Sequence, residues 1–414
     1  MKHRRTPSSE PARKSGGRVL TDRSLVEEYL SKELSRREML ERTLLASAGA
    51  WLGGSLLAGC SGDKRPGGVD AARADAGGAD AAGTDAGIAD AATAADAGAD
   101  AGVAPPSHLV GMGWSADHDT AVRAALAETI GLSFVRPGQS VYIKVNCNSG
   151  DPYPYSTSAD TVRVVGRMLM DAGAGEISVG DRSFWGDGDT RGNLDRNGIA
   201  SAASDIGATL YVFDTASVDW VSIPETAVPG WMGGFRIPQP VVTADHIINL
   251  ASMKTHFIAG ATLALKLVIG LVNPDDRARA LDHDTSVLFE LIAQANTRIT
   301  PSMNVVDGHT ALVSGGPTPT SGAPPTIVHP GLVIASTDRI AVDATAIAVL
   351  KTLSPASESV TRTSVWNNPV IRAAVSYGLG ITGPSMYDLS GPTVVAADGA
   401  PDDLDAYRRL VLAG

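Results

Sequence analysis

The sequence predicts an α/β fold, with a mostly parallel sheet, helices on both faces, and a disordered Ala/Asp/Gly linker in front. Three observations predict it. Short β-branched runs alternate with longer stretches of helical period between residues 107 and 414. Gly and Pro mark the joins between them, as at Arg136-Pro137-Gly138 and Gly173-Ala174-Gly175. An Ala, Asp and Gly tract precedes the body. Strands alternating with helices of this length imply βαβ units and a parallel sheet.

The elements follow in order. Val141 to Val145 reads as a strand, Thr161 to Met170 as a helix, and Ile177 to Val179 as the next strand. Thr209 to Phe213 and Ile247 to Leu250 are further strands, the latter followed by helical patterns at Thr262–Leu271 and Val287–Ala295. Met303 to Val306 and Gly331 to Ala335 read as strands, Ala341 to Leu350 as a helix, and Val370 to Tyr377 as a late helix. The Gly content of Trp231-Met232-Gly233-Gly234 suggests a mobile lid, and Gly186-Asp187-Gly188-Asp189 reads as a crevice-side loop.

Ahead of this body the chain divides at 60 and 106. The stretch 61–106 is acidic, repeats Asp at Asp70, Asp75, Asp80, Asp85 and Asp90, and has almost no large apolar residue. It cannot bury enough apolar surface to offset the entropy of ordering, so it reads as a solvated tether. Its carboxylates lack the dense, Gly-turned spacing of a calcium loop. Residues 1–60 resemble a signal peptide. Arg36-Arg37 ahead of a modest apolar run resembles the twin-arginine signal read by the Tat translocon. Leu57-Ala58-Gly59-Cys60 resembles a bacterial lipobox, whose cysteine takes lipid. The apolar run is interrupted by Gly49, Gly53 and Gly54, which makes it short and soft for a permanent span. The expected location is therefore outside the cytoplasm, on a lipid anchor in the inner or outer membrane, facing the periplasm. The expected partners include the Tat translocon and the lipoprotein-processing enzymes.

Composition excludes several functions. The net charge is −11, with no basic stripe and only 5% aromatic residues, which disfavours nucleic acid as a partner. Cys60 and Cys147 are the two cysteines. With Cys60 lipidated, no internal disulfide can form, and cysteine-ligated zinc and iron–sulfur clusters are excluded.

In open α/β sheets ligands sit beyond the carboxyl ends of the strands. Lys144 and Asn146 follow the first predicted strand, Asp181 the second, and Lys254, Thr255 and His256 follow Ile247–Leu250. Asp307 and His309 follow Met303–Val306. Lysines supply charge for an anion, while His and Asp move protons or bind a divalent metal. Asp and Asn at such positions also cap helices and satisfy loop carbonyls.

At these residues the chain resembles the DUF362 family, from about Ser107 to Leu389. The resemblance rests on Lys144-Val145-Asn146, Gly180-Asp181, the block Lys254-Thr255-His256, and Leu263 to Gly270 with Lys266 inside it. His283, Asp307-Gly308, Gly315-Gly316-Pro317 and the Asp338 to Asp343 helix start complete it. Relatives usually carry Asn where Leu267 stands and Pro where Val145 stands. Many relatives also append a ferredoxin-like cysteine module. This chain has none, so any redox role implied by the resemblance belongs to a redox partner.

The first expectation is an enzyme acting on a small anionic molecule, clamped by Lys144, Asn146, Lys254 and Lys266. His256, His283, Asp181 and Asp307 are the expected catalytic groups, with a divalent metal on His256, His283 and Asp307 as an option. The wide spacing of those three gives no local ligand signature. Asp282-His283-Asp284 is the one compact His–carboxylate cluster, and it reads as a solvated loop. The second expectation, from a different class, is a non-catalytic ligand-binding or scaffold lipoprotein of the cell envelope.

Overall fold

The computed structural model describes residues 109–184, 188–214, 218–281, 287–320, 324–353, 358–387, 393–394 and 404–413. The export signal, the acidic tract and His283 lie outside the described residues. No helix among the described residues is long and apolar enough to cross a membrane.

The first strand is β1 (Gly111–Trp114), followed by helix α1 (His118–Ala127). Strand β2 (Ser140–Val145), helix α2 (Ala159–Asp171) and strand β3 (Glu176–Asp181) form a βαβ unit. Helices α3 (Thr190–Arg196) and α4 (Ile199–Asp205) lead to β4 (Thr209–Val212). A separate hairpin, β5 (Trp220–Ile223) with β6 (Phe235–Pro238), precedes the long β7 (His246–His256) and its short return β8 (Gly260–Thr262). Helix α5 (Ala264–Leu267) runs into a 3₁₀ turn at Val268–Leu271, and helices α6 (Pro274–Leu281) and α7 (Leu288–Asn296) follow. Strands β9 (Met303–Ser314), β10 (Thr326–Val328) and β11 (Leu332–Ser336) lead to helix α8 (Arg339–Leu353). Helix α9 (Pro369–Ser376), strand β12 (Thr393–Val394) and helix α10 (Leu404–Leu412) follow.

The sheet order is β12-β1-β11-β9-β7-β2-β3-β4, with β8 and β10 pairing at β7 and β9. The run from β9 to β4 is parallel. The edge from β9 through β11 to β1 is antiparallel, so the sheet is mixed but mostly parallel at its centre. Strand alternation sends side chains to two separate cores. Val141, Ile143 and Val145 enter the core with α1 and α2, while Tyr142 enters the core with α5, α7 and α8. Both faces are thus covered, as a central parallel sheet requires.

The expected strands and helices are present, with three corrections. Strands β7 and β9 run past Leu250 and Val306, so Lys254, Thr255, His256, Asp307 and His309 lie inside strands rather than after them. Apolar period alone ended both too early, because polar residues occupy their far halves. The helical reading at Thr262–Leu271 begins two residues too early, since Thr262 closes β8 and the helix starts at Ala264. Trp231 is not part of a lid. It is fully buried in the larger core, and its Nε1 donates to the Leu291 carbonyl at 3.2 Å.

Helix starts follow ordinary capping chemistry. Ser158 caps α2, its hydroxyl accepting from the Asp160 and Thr161 amides, and Asp189 caps α3 by accepting from Gly192 N. The segment 146–158 crosses the middles of β7 and β9 as a strap. Within it Thr157 Oγ1 donates to the Leu250 carbonyl at 2.6 Å, and the Ser156 carbonyl accepts from Ser252 Oγ at 2.7 Å.

Candidate functional site

Lys144 is the last-but-one residue of β2 and fully buried, an expensive place for a charge unless it is paired. Its Nζ donates to Asp181 Oδ1 at 2.6 Å and to the Val145 carbonyl at 2.5 Å. Asp181 ends the neighbouring strand and also accepts from Cys147 N at 2.6 Å and Arg182 N at 2.7 Å. The pair is possible only because Gly270 has no side chain. A Cβ there would lie 2.2 Å from Asp181 Oδ1 and 2.8 Å from Lys144 Nζ. The glycine of the Leu-rich block is therefore an approach requirement.

Four more cations gather around this pair. Lys254 is fully buried, and its Nζ donates to Asn146 Oδ1 at 2.9 Å and to the Tyr155 carbonyl. Burial, then the neighbouring Lys266 charge, pulls Lys254 down to about 7. Arg277, on α6, donates to the Ser183 carbonyl at 3.1 Å, leaves Nε without a partner, and is drawn down by burial to about 10. Lys266, on α5, is half-buried and held down to about 8 by burial and by the charges of Arg277 and Lys144. No partner for its ammonium is found among the described residues. Arg182 is paired, its guanidinium 2.9 Å from Asp214. Lys254, Lys266 and Arg277 thus lack a carboxylate partner among the described residues.

His256 stands at the same end of β7. Its Nδ1 accepts from Ile258 N at 3.1 Å and Ala259 N at 3.2 Å. Burial and the charges of Lys266 and Lys254 push it well below its ordinary value. It is therefore a neutral imidazole with its proton on Nε2, a donor suited to an anion. The Gly315-Gly316-Pro317 turn closes on this block, since a Cβ at Gly316 would meet the Thr255 carbonyl at 2.0 Å.

Asp343, near the start of α8, is fully buried and accepts from Ala264 N at 2.8 Å and Leu265 N at 3.0 Å. It anchors the first turn of α5 and so sets where Lys266 stands. Burial raises its carboxyl to about 7. Leu267, where relatives carry Asn, is buried in the larger core.

Asp307 is placed elsewhere. Strand alternation puts it with Val305 on the face of α1 and α2, opposite Tyr142. Its oxygens accept from Tyr153, His118, Thr161 and the His309 amide rather than from His256. The residues brought together are therefore Lys144, Asn146, Asp181, Lys254, His256 and Lys266, while Asp307 joins a different cluster. Among the described residues no group of three His, Cys, Asp or Glu is placed to hold a metal ion.

Sequence reasoning named Asp343 only as part of the last family block, and it missed Arg277, His118, Tyr153 and Thr161. Arg277 had one signal, the charge-dense run Asp275-Asp276-Arg277 directly after the Leu-rich block. The others come from elements whose neighbours in space are far away in sequence.

Two cavities of about 270 and 260 Å³ lie away from this chemistry. The first is lined by Val221, Ile237, Asp245 and Arg298, at the amino end of β7.

The family described as "Domain of unknown function (DUF362)" matches residues 141–348, half of the chain and all of the basic cluster. The chain belongs to the DUF362 family. Within the wider set of curated proteins, a thylakoid-associated protein of Synechocystis sp. is 25% identical over 272 residues, covering 64% of this chain and 77% of that protein. Among solved structures, a lactate racemase apoprotein from Thermoanaerobacterium thermosaccharolyticum aligns with a TM-score of 0.33 and 11% identity, covering 56% of each chain. The DUF362 blocks now have physical meanings. Lys144, Lys254 and Lys266 form the cationic set, Asp181 the counter-charge, and Gly270 and Gly316 the close approaches.

Proposed function

We propose that this DUF362 chain is an enzyme that binds a small anionic substrate between Lys254, Lys266, Arg277 and His256, at the carboxyl ends of β2 and β7. One observation carries this reading: the half-buried Lys266 ammonium has no partner among the described residues and stands beside two buried cations without carboxylates. Concentrated buried positive charge is costly unless an anion neutralises it. An oxyanion would take donors from Lys266, from Arg277 Nε and from His256 Nε2. Its charge would draw Lys254 back to the protonated state. A lysine near 7 can give or take one proton at neutral pH, which supports a proton-transfer role for Lys254 once the anion is seated.

Calorimetric titration of the full chain with sulfate, phosphate and oxalate tests the reading. Binding of at least one of them, weakened at least ~10-fold by Lys266→Ala, is expected, the size of a lost charge-assisted contact. Equal affinities in the two proteins would refute it. The second part of the proposal is export on a lipid anchor, supported by Arg36-Arg37 and Cys60. Cys60→Ser should move the protein from the membrane fraction to the soluble one.

A further inference from the structure

Beside the basic crevice, where β9 pairs Asp307 in register with Ser252 of β7, Asp307 is the centre of a cluster that the crevice does not use. It is 1% exposed and receives four donors. Tyr153 Oη donates to Oδ1 at 2.6 Å, and His309 N donates to the same oxygen at 3.0 Å. Thr161 Oγ1 donates to Oδ2, where His118 Nε2 also stands at 2.9 Å. These bonds hold the carboxyl below its ordinary range despite burial, so it is an acceptor only.

That arrangement fixes the histidine tautomer. Thr161 has one proton, and Asp307 takes it. Thr161 Oγ1, 3.0 Å from His118 Nε2, is therefore left as an acceptor, and so is Asp307 Oδ2. Nε2 must carry the proton, which leaves the lone pair of neutral His118 on Nδ1. No partner for Nδ1 is found among the described residues, and the side chain is 16% exposed. His309 stacks on the ring at 4.5 Å, with its own Nε2 donating to the Ser115 and Ala116 carbonyls. Tyr153 lies on the ring as well, at 6.0 Å. The imidazole is thus fixed in tautomer, tilt and position by neighbours contributed by β9, α2 and the strap.

We propose that His118 is the general base of a second site, presenting Nδ1 to a neutral or cationic proton-donating small molecule, with Asp307 as its positioning residue. The inference goes beyond the anion reading and does not depend on it. In the step, an N–H bond forms at Nδ1 as the substrate's O–H or C–H bond breaks. The electron pair stays on the substrate atom, and the new imidazolium charge stands against Asp307. The ligand class follows from the field. The groups facing the ring are Asp117 at the start of α1, Asp160 on α2, Asp307 and His309 on β9, and Tyr153 on the strap. Three carboxylates against two imidazoles disfavour an anion, in contrast to the lysine crevice.

Two measurements on the full chain test the proposal. Long-range nitrogen-15 NMR of histidine-labelled protein at pH 8 should find His118 with a protonated Nε2 and a bare Nδ1. A protonated Nδ1 would overturn it, and this arm needs no variant. Carbethoxylation by diethyl pyrocarbonate, read by mass spectrometry, should modify His118. Asp307→Asn should slow that modification at least ~10-fold, because the amide can donate to Nε2 and reverse the tautomer. Equal rates in the two folded proteins would overturn it too. Tyr153→Phe, which keeps Asp307 charged, should retain a rate near that of the parent, and a loss equal to that of Asp307→Asn would mean mere packing. Sulfate affinity is read in parallel on His118→Gln and should be unchanged, which separates failure here from failure of the anion reading.

Discussion

Asp181 is the single carboxylate contacting Lys144 among the described residues, which sets the first prediction at the level of one residue. Asp181→Asn leaves a buried ammonium uncompensated and should cost about 3–5 kcal/mol, measured by urea denaturation. Adding Lys144→Met removes the stranded charge and should recover part of that loss. If the double variant is no more stable than Asp181→Asn, the ion pair is not what the carboxylate supports. Gly270 gives the second prediction. Gly270→Ala puts a methyl 2.2 Å from Asp181 Oδ1 and should cost about 1–3 kcal/mol by overpacking, with sulfate affinity falling as well. These roles were half legible beforehand. Lys144, Asp181, Lys254 and Lys266 follow from strand ends and family blocks, because charged groups beside buried strands need partners. His118 was not legible, since Asp117-His118-Asp119 reads as an ordinary charged helix start.

Helix α5 is four residues long, too short to hold itself in water, and its first turn leans on Asp343. This sets a pH dependence. Burial raises the folded Asp343 carboxyl from 3.8 to about 7, so its contribution is fully present below pH 3.8 and is lost as pH rises through 7. Stability should fall by up to about 1.4 kcal/mol per pH unit from this group between those values. Asp343→Asn should flatten that stretch of the stability curve, measured by thermal melts across pH 4 to 8, and a curve of unchanged slope would exclude the assignment. The same helix shows why the elements were read better than their ends. The core-facing runs of β2, β3 and α2 carry a clear period. The far halves of β7 and β9 carry Ser252, Lys254, His256, Asp307 and His309, which break the apolar pattern while keeping the backbone ladder. Only tertiary packing reveals that these polar residues are still strand. The early pair β1 and α1 went unread for a related reason: Gly111 and Gly113 are strand residues only because α1 packs directly on them, at Ala121 and Ala125.

For the molecule as a whole, the acid and base sides of the crevice act in opposite directions. Lys254, lowered from 10.5 to about 7, binds fewer protons when folded than when unfolded, so stability rises between pH 7 and 10.5. Lys266, lowered to about 8, acts in the same sense. Together with Asp343 this predicts a stability minimum near pH 7 in anion-free buffer. Sulfate should raise the melting temperature most below pH 7, where both lysines are protonated, and less as pH rises through 7 and 8, and a uniform rise across pH would show that the gain is not linked to the crevice. The mostly parallel sheet places the chemistry at one end and both cores behind it, which the alternation of elements made legible from the outset. The strap 146–158 has a consequence of its own. Asn146 and Tyr155 hold Lys254, and Tyr153 holds Asp307. A single proteolytic nick between Tyr153 and Tyr155 would leave the sheet standing and sever both clusters from their common brace. One clipped peptide bond would then loosen both clusters at once.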